Sequence, residues 1–240
     1  NRRTSSQEEN LMSTMKKVAD AIQMCNPTGF NEGLIELQKR ISSYKESGKQ
    51  FLDIFVEKVK EDYGILLSEN YNTIDVVKWF RKKEFYQQAL TYIEAYVPKE
   101  LVTKGILNWE YDPEEVKKVK KVRKQVYIED ANYLLFSLCN AKTKDSKKMK
   151  EAFEENIENG KFTVQDGGES TIVQLKKPLI GMESDEREKL FDFIDNYYKL
   201  KALRNQFNHM SEKEKRITKT QLSNIIARFE LLGNNLYNLY

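Results

Sequence analysis

Leu200-Lys201-Ala202-Leu203-Arg204-Asn205-Gln206-Phe207-Asn208-His209-Met210 reads as a helix, and extending that reading in both directions decides the fold class. Each helical residue advances about 100°. Leu203, Phe207 and Met210 therefore share a narrow apolar stripe, expected to face the core. Arg204 with Asn208, and Asn205 with His209, are i,i+4 pairs on the other side. A cation, two amides and the chain's single imidazole share that polar side. Arg204 and His209 are separated by about 140° on an ideal helix. A kink, or a second copy of the helix across a twofold axis, is needed to bring them together.

Upstream, Ser184-x-x-Arg187 opens this last helical block, and Phe191-Asp192-Phe193-Ile194-Asp195 interleaves core residues with acids as an amphipathic helix does. Before it, Phe162-Thr163-Val164 and Thr171-Ile172-Val173 flank Asp166-Gly167-Gly168-Glu169, the pattern of a small β-hairpin near 162–175. The rest reads as helix. Ser5-x-x-Glu8 is expected to cap a first helix with Leu11, Met15, Val18 and Ile22 on one face. After the break at Asn26-Pro27-Thr28-Gly29, a second helix carries Leu34, Leu37 and Ile41 and ends near Gly48. Phe51, Ile54, Phe55, Val59, Tyr63 and Leu66 keep helical spacing in a third. Thr73 is expected to cap the helix to Lys82, and Glu84 to Lys104 forms a longer one with Phe85, Ala89, Tyr92, Ile93 and Tyr96 inward. Pro98 should kink or divide that helix. Asp112-Pro113-Glu114-Glu115 has the form of a helix start, and Val126, Ala131, Leu134, Leu135 and Leu138 line an apolar helix beyond it. The expected fold is all-α: residues 1–70 as a helical connector or hairpin, and 71–240 as a helical domain holding the hairpin as an insertion.

The 240 residues suffice for one large domain or two small ones, and 40% hydrophobic with 32% charged residues suits long solvated helices. No apolar run approaches the roughly 20 residues needed to cross a bilayer. The opening Asn1-Arg2-Arg3-Thr4-Ser5-Ser6-Gln7-Glu8 has neither an initiator Met nor the apolar stretch of a secretory signal. The expectation is a cytoplasmic protein whose residue 1 lies inside a longer polypeptide or follows a removed tag. Cys25 and Cys139, both in apolar surroundings, read as two buried thiols, with a disulfide as the alternative. A single histidine excludes a multi-histidine zinc site, and no G-x-S-x-G elbow is present for a serine triad.

The residue types around Arg204 suit phosphodiester chemistry. Imidazole exchanges a proton near neutral pH. Guanidinium holds phosphate oxygens through two hydrogen bonds and stabilises developing negative charge. Amides such as Asn205 and Asn208 orient either group without adding charge.

Arg204-Asn205-x-x-x-His209 resembles the R-x(4–6)-H signature of HEPN ribonucleases, including the polar residue after the Arg. Trp79-Phe80, with Phe85-Tyr86-Gln87-Gln88-Ala89-Leu90-Thr91-Tyr92-Ile93-Glu94-Ala95-Tyr96-Val97-Pro98, resembles the early HEPN helix of the CARF–HEPN ancillary nucleases of type III CRISPR systems. Together these cover roughly residues 74–240. The resemblance implies a four- or five-helix core that pairs as a homodimer through the motif helices, with two copies of Arg204 and His209 lining one cleft. It implies metal-independent cutting of single-stranded RNA without a cofactor, the 2′-hydroxyl attacking the neighbouring phosphate. Arg204 would then bind phosphate, His209 would transfer a proton or stabilise the leaving group, and Asn205 would position, helped by Asn208. The related nucleases sense cyclic oligoadenylate through a Rossmann-like domain. Before residue 70 no alternating strand–helix pattern or glycine-rich turn is present, so that ligand is expected only for a longer parent.

The densest basic run, Val116-Lys117-Lys118-Val119-Lys120-Lys121-Val122-Arg123-Lys124, reads equally as an RNA-backbone track or a solvated helix face. Lys142, Lys144, Lys147, Lys148 and Lys150 extend it. Tyr86, Tyr92, Tyr96, Tyr197 and Tyr198 could stack on bases, but at helical spacing they read as core or interface residues and are left out of the site. Asp185, Glu186, Glu188, Asp192 and Asp195 read as helix-face acids rather than metal ligands. Two further functional readings stay open: a HEPN toxin of a toxin–antitoxin or abortive-infection pair, and a non-catalytic module binding RNA or protein.

Overall fold

The computed structural model of the chain describes residues 2–44, 50–114, 129–166, 169–209 and 217–240. Nine α-helices and a three-stranded sheet lie among these residues, so the fold is mostly helical. The chain divides into two compact units: Asn1–Ile93 with Lys215–Ala227, and Glu94–Glu214 with Arg228–Tyr240.

The first unit opens with a helical hairpin, α1 (Arg2–Gln23) and α2 (Pro27–Ser42). Helix α1 begins upstream of Ser5, so Ser5 lies inside the helix and is not its cap. Its buried face is Leu11, Thr14, Val18 and Ala21. Threonine can occupy that stripe because its hydroxyl donates to the Asn10 carbonyl at 2.9 Å and meets Glu36 at 3.2 Å. The Asn26 side chain caps α2 by accepting from the Gly29 N–H, and Pro27 takes the first helical position, where no N–H is needed. The two helices approach closely at Gly33, where a Cβ would lie 2.8 Å from a Val18 methyl. Helix α2 stops at Ser42, earlier than the expected end near Gly48.

Helix α3 (Gln50–Tyr63) forms where the helical spacing places it, and packing selects its buried face. Leu52, Val56, Val59 and Tyr63 are buried, while Phe51 and Ile54 are exposed. Apolar residues occupy two faces of α3, and periodicity alone does not choose between them. Helix α4 (Thr73–Lys82) is capped one residue earlier than expected. Asn72 accepts from the N–H groups of Ile74 and Asp75, and Asp75 accepts from the Asn72 N–H. Phe30, Phe80, Trp79, Tyr63 and Tyr92 form an aromatic core, with Phe30–Phe80 centroids at 4.8 Å and Tyr63 stacked on Trp79 at 5.1 Å. The Trp79 indole N–H donates to the Asp62 carbonyl at 2.9 Å, and Tyr92 donates to Asn31 at 2.7 Å. Burial pushes the Tyr63 phenol up to about 12.

Helix α5 (Tyr86–Thr103) runs unbroken through Pro98, so the proline does not divide it. Pro98 has no N–H to give the carbonyl of Glu94, four residues before it. The division between the units falls within α5, between Ile93 and Glu94. In the second unit, the expected hairpin is present as β2 (Lys161–Asp166) and β3 (Glu169–Leu175), antiparallel, with Phe162 opposite Val173 and Val164 opposite Thr171. Those four residues are buried, while Thr163 and Ile172 point outward. A third strand, β1 (Trp109–Glu110), pairs with the other edge of β3. Two residues are too short a strand to read from alternation.

Asp112 accepts from the Glu114 N–H, as a helix start requires, but the continuation is outside the described residues. Helices α6 (Ala131–Leu138) and α7 (Ser146–Glu158) are capped by Asp130 and Asp145. Helix α8 (Ser184–His209) starts at Ser184, as the sequence leads one to expect, and α9 (Lys219–Tyr237) completes the fold. Phe193 on α8 has no exposed surface and stacks on Phe229 of α9 at 4.6 Å, with Tyr237 edge-on at 5.9 Å. Phe193→Ala is expected to lower unfolding free energy by about 3–5 kcal/mol in urea denaturation, the usual cost of emptying a buried phenylalanine site. A loss under about 1 kcal/mol would contradict this packing.

Candidate functional site

The rotation of α8 is set by its buried residues. Phe193, Tyr197 and Leu200 are buried, and continuing that spacing by four residues reaches Arg204. Arg204 is offset by about 20° from Phe193, so the inward stripe ends on an arginine. The stripe of Leu203 and Phe207 is turned aside: Leu203 is half-buried and Phe207 is 39% exposed. The expectation that these two anchor the helix in the core is therefore corrected, and Met210 is outside the described residues.

What receives Arg204 is Glu94 of α5. The guanidinium Nη1 lies 2.7 Å from Glu94 Oε2, and the Lys201 ammonium lies 3.4 Å from Oε1 of the same carboxylate. Lys201 and Arg204 are i,i+3, one turn of α8, so a single carboxylate can reach both. These side chains keep between 23% and 29% of their exposure, so this is a partly screened cluster of two cations and one anion. The Arg204–Glu94 approach is close without being a directed hydrogen bond: Glu94 Oε2 and Arg204 Nε are both shut from solvent and lack hydrogen-bond partners among the described residues. Arg204 Nη1 also donates to the Asn205 side-chain oxygen at 3.3 Å. The cluster carries one net positive charge and one unmatched N–H donor, the Arg204 Nε–H, which is closed to solvent.

Arg204 and Asn205 are thus brought together, with Asn205 exposed. Asn208 and His209 are the last two residues of α8, and their side chains lie outside the described part of the structure. Helix α8 continues to His209 without a break, so no interruption of the helix draws positions 204 and 209 together. Lys117, Lys118, Lys120, Lys121, Arg123 and Lys124 also lie outside the described residues. Sequence reasoning misses Glu94 and Lys201 as site residues. Glu94 stands inside the upstream stretch that carries the family resemblance, and Lys201 lies three residues before Arg204. The available signal is the buried spacing of α8, which points Arg204 inward, where a guanidinium needs an acid.

The neighbouring groups are structural. Tyr197 donates to Asn132 at 2.9 Å, and burial raises its phenol and that of Tyr198 above their usual range. Asp195, nine residues before Arg204 on the same helix, is held by Ser146 and Lys199, both at 2.5 Å. Glu188 meets Lys150 at 3.5 Å. Both cysteines are free; Cys139 is buried and its thiol is raised by that burial, while Cys25 is only half-buried, which corrects its expected place in the core. Comparison with protein-family models, curated proteins and solved structures returned no match.

The Glu94–Arg204 pair gives a direct test. A double-mutant cycle with Glu94→Gln and Arg204→Gln is expected to give a coupling of about 0.5–1 kcal/mol by urea denaturation, as for a partly exposed pair. Additive single effects would show that the two groups do not interact.

Proposed function

We propose that this chain is a metal-independent endoribonuclease of the HEPN type, acting on single-stranded RNA as a homodimer. The observation that carries the reading is Arg204 itself: a half-buried guanidinium with a free Nε–H, near the end of a long helix, in the sequence Arg204-Asn205-x-x-x-His209. In the reaction, the RNA 2′-oxygen bonds to the adjacent phosphorus and the bond to the next 5′-oxygen breaks. The products carry a 2′,3′-cyclic phosphate and a 5′-hydroxyl. Arg204 holds the phosphate oxygens as charge develops on them, and His209 moves the proton that the 2′-hydroxyl loses or the 5′-oxygen gains. Asn205 keeps the guanidinium in register, with Asn208 beside it as a helper.

Two features support pairing of two copies. On an uninterrupted α8, positions 204 and 209 lie on different sides of the helix, so a composite site needs residues from a second chain. Leu203 and Phe207, left partly exposed on the same turns, supply an apolar seam for it. Glu94 has a defined part in this reading, occupying Arg204 until a phosphodiester displaces it. A cytoplasmic setting in CRISPR-type antiviral defence rests on the sequence resemblance alone, as does the toxin alternative. No described helix is long and apolar enough to cross a membrane. In a non-catalytic binding module, the Glu94–Arg204 pair would be a structural interaction only.

Cleavage of fluorescent single-stranded RNA in EDTA separates these readings. Arg204→Ala and His209→Ala are each expected to lower the rate by at least about 10²-fold, within the range of a lost acid–base group. Glu94→Gln should leave cleavage metal-independent and tighten RNA binding several-fold. An inert parent protein that binds RNA favours the binding module, and cleavage that survives both alanine variants overturns the site.

A further inference from the structure

In the second unit, the segment between α6 and α7 borders a concavity of about 640 Å³ whose lining includes Tyr133, Phe136, Asn140, Lys142, Glu155 and Gln165 and does not include Arg204. That volume is in the range of small-ligand sites, roughly 300–1,000 Å³. Tyr133 and Phe136 are both half-buried, with nearly parallel rings, 17° apart at a centroid distance of 6.1 Å. The Tyr133 hydroxyl is fixed by donating to the Gln165 carbonyl at 2.6 Å, so its ring is held in place. Asn140, in the left-handed region at φ 46°, offers a side-chain amide with no hydrogen bond among the described residues, and the Gln165 amide is likewise unengaged.

Charge is distributed unevenly along the chain that follows Lys142, the lysine in this lining. From Lys142 to Lys150 the chain has five lysines and one acid, Asp145, whose carboxylate is taken by the N–H groups of Lys147 and Lys148. Lys147 lies 3.9 Å from Glu151 and Lys150 3.5 Å from Glu188, whereas Lys142, Lys144 and Lys148 have no ion-pair partner among the described residues. Glu155 puts a carboxylate in the lining itself, which disfavours a phosphate inside and suits the amino group of a base. Planar rings and free amides in the hollow, with unpaired Lys142 in its lining and unpaired Lys144 two residues further along the chain, match one nucleotide of a single strand: base within, phosphates along the lysines.

We infer that this concavity is a subsite for single-stranded RNA, with a base stacked on Tyr133 and Phe136 and the backbone following Lys142 and Lys144. The inference rests on the ribonuclease reading for its choice of RNA, but its test does not use cleavage. A fluorescein-labelled ten-residue 2′-O-methyl oligoribonucleotide has no free 2′-hydroxyl to react, and its binding to the full chain is read by fluorescence anisotropy at several salt concentrations. Phe136→Leu keeps apolar bulk and removes the ring. It is expected to weaken binding roughly tenfold without changing the salt dependence. Lys142→Ala with Lys144→Ala is expected to lower the slope of log affinity on log salt by about 0.7 for each phosphate that the two lysines neutralise in the parent protein. Tyr133→Phe, which keeps the ring, should bind as the parent does. Thermal melts by circular dichroism confirm that each variant is folded.

Parent-like binding by folded Phe136→Leu overturns the subsite, and so does an unchanged salt slope in the lysine variant. Displacement of the oligonucleotide by micromolar adenosine monophosphate also overturns it, because the occupant is then a free nucleotide. If Phe136→Leu and the lysine variant behave as expected while His209→Ala still cleaves RNA, the cleavage site falls and the subsite stands. If His209→Ala abolishes cleavage while Phe136→Leu binds normally, the subsite falls alone.

Discussion

Phe193, stacked on Phe229 with no surface left exposed, fixes how helix α8 is turned, and much of the second unit takes its arrangement from that packing. Phe191 packs on Phe153 of α7 at 5.5 Å, and Asp195 receives the Ser146 hydroxyl at the start of the same helix. With Phe193 inward, Tyr197 and Leu200 follow inward at helical spacing. Arg204 is next, at a position where an aliphatic residue would continue the core. A guanidinium there requires a counter-charge, and Glu94 provides it. The candidate site is therefore a consequence of core packing: the stripe that holds α8 in place ends in a cation whose Nε–H is left without an acceptor.

Much of the fold is legible in the sequence because caps, breaks and long apolar periodicities are local signals. Asn26-Pro27 before α2, the alternation of 162–175 and the start at Ser184 all correspond to elements of the structure. Local signals fall short where two of them compete. On α3 both Phe51 and Leu52 begin helical apolar series, and only tertiary packing selects the second. Beside Thr73, Asn72 takes the cap because it pairs reciprocally with Asp75. Strand β1 consists of two residues whose pairing partner lies more than 60 positions away, beyond any local pattern.

The site is legible in part. Arg204 and Asn205 emerge from residue chemistry and spacing, but the local triplet Leu203, Phe207 and Met210 suggests the wrong inward stripe. The longer register from Phe193 overrides it, since burial of several large residues outweighs two at a helix end. Glu94 cannot be found from short spacing, because it precedes Arg204 by 110 residues. Its position four residues before Pro98 marks a second local peculiarity: its carbonyl lacks the helix donor while its carboxylate serves two cations.

Strand β3 is paired along both edges, to β1 and to β2, and from Ser170 to Leu175 its side chains alternate strictly between exposed and buried. That geometry governs which changes of chain length the protein can absorb. Gain or loss of one residue within β3 would reverse the facing of every residue beyond it, exchanging Val173 and Leu175 for Ile172 and Gln174 across two ladders at once. Insertions and deletions in relatives of this chain would therefore collect outside the sheet, in surface connections where no register has to be kept.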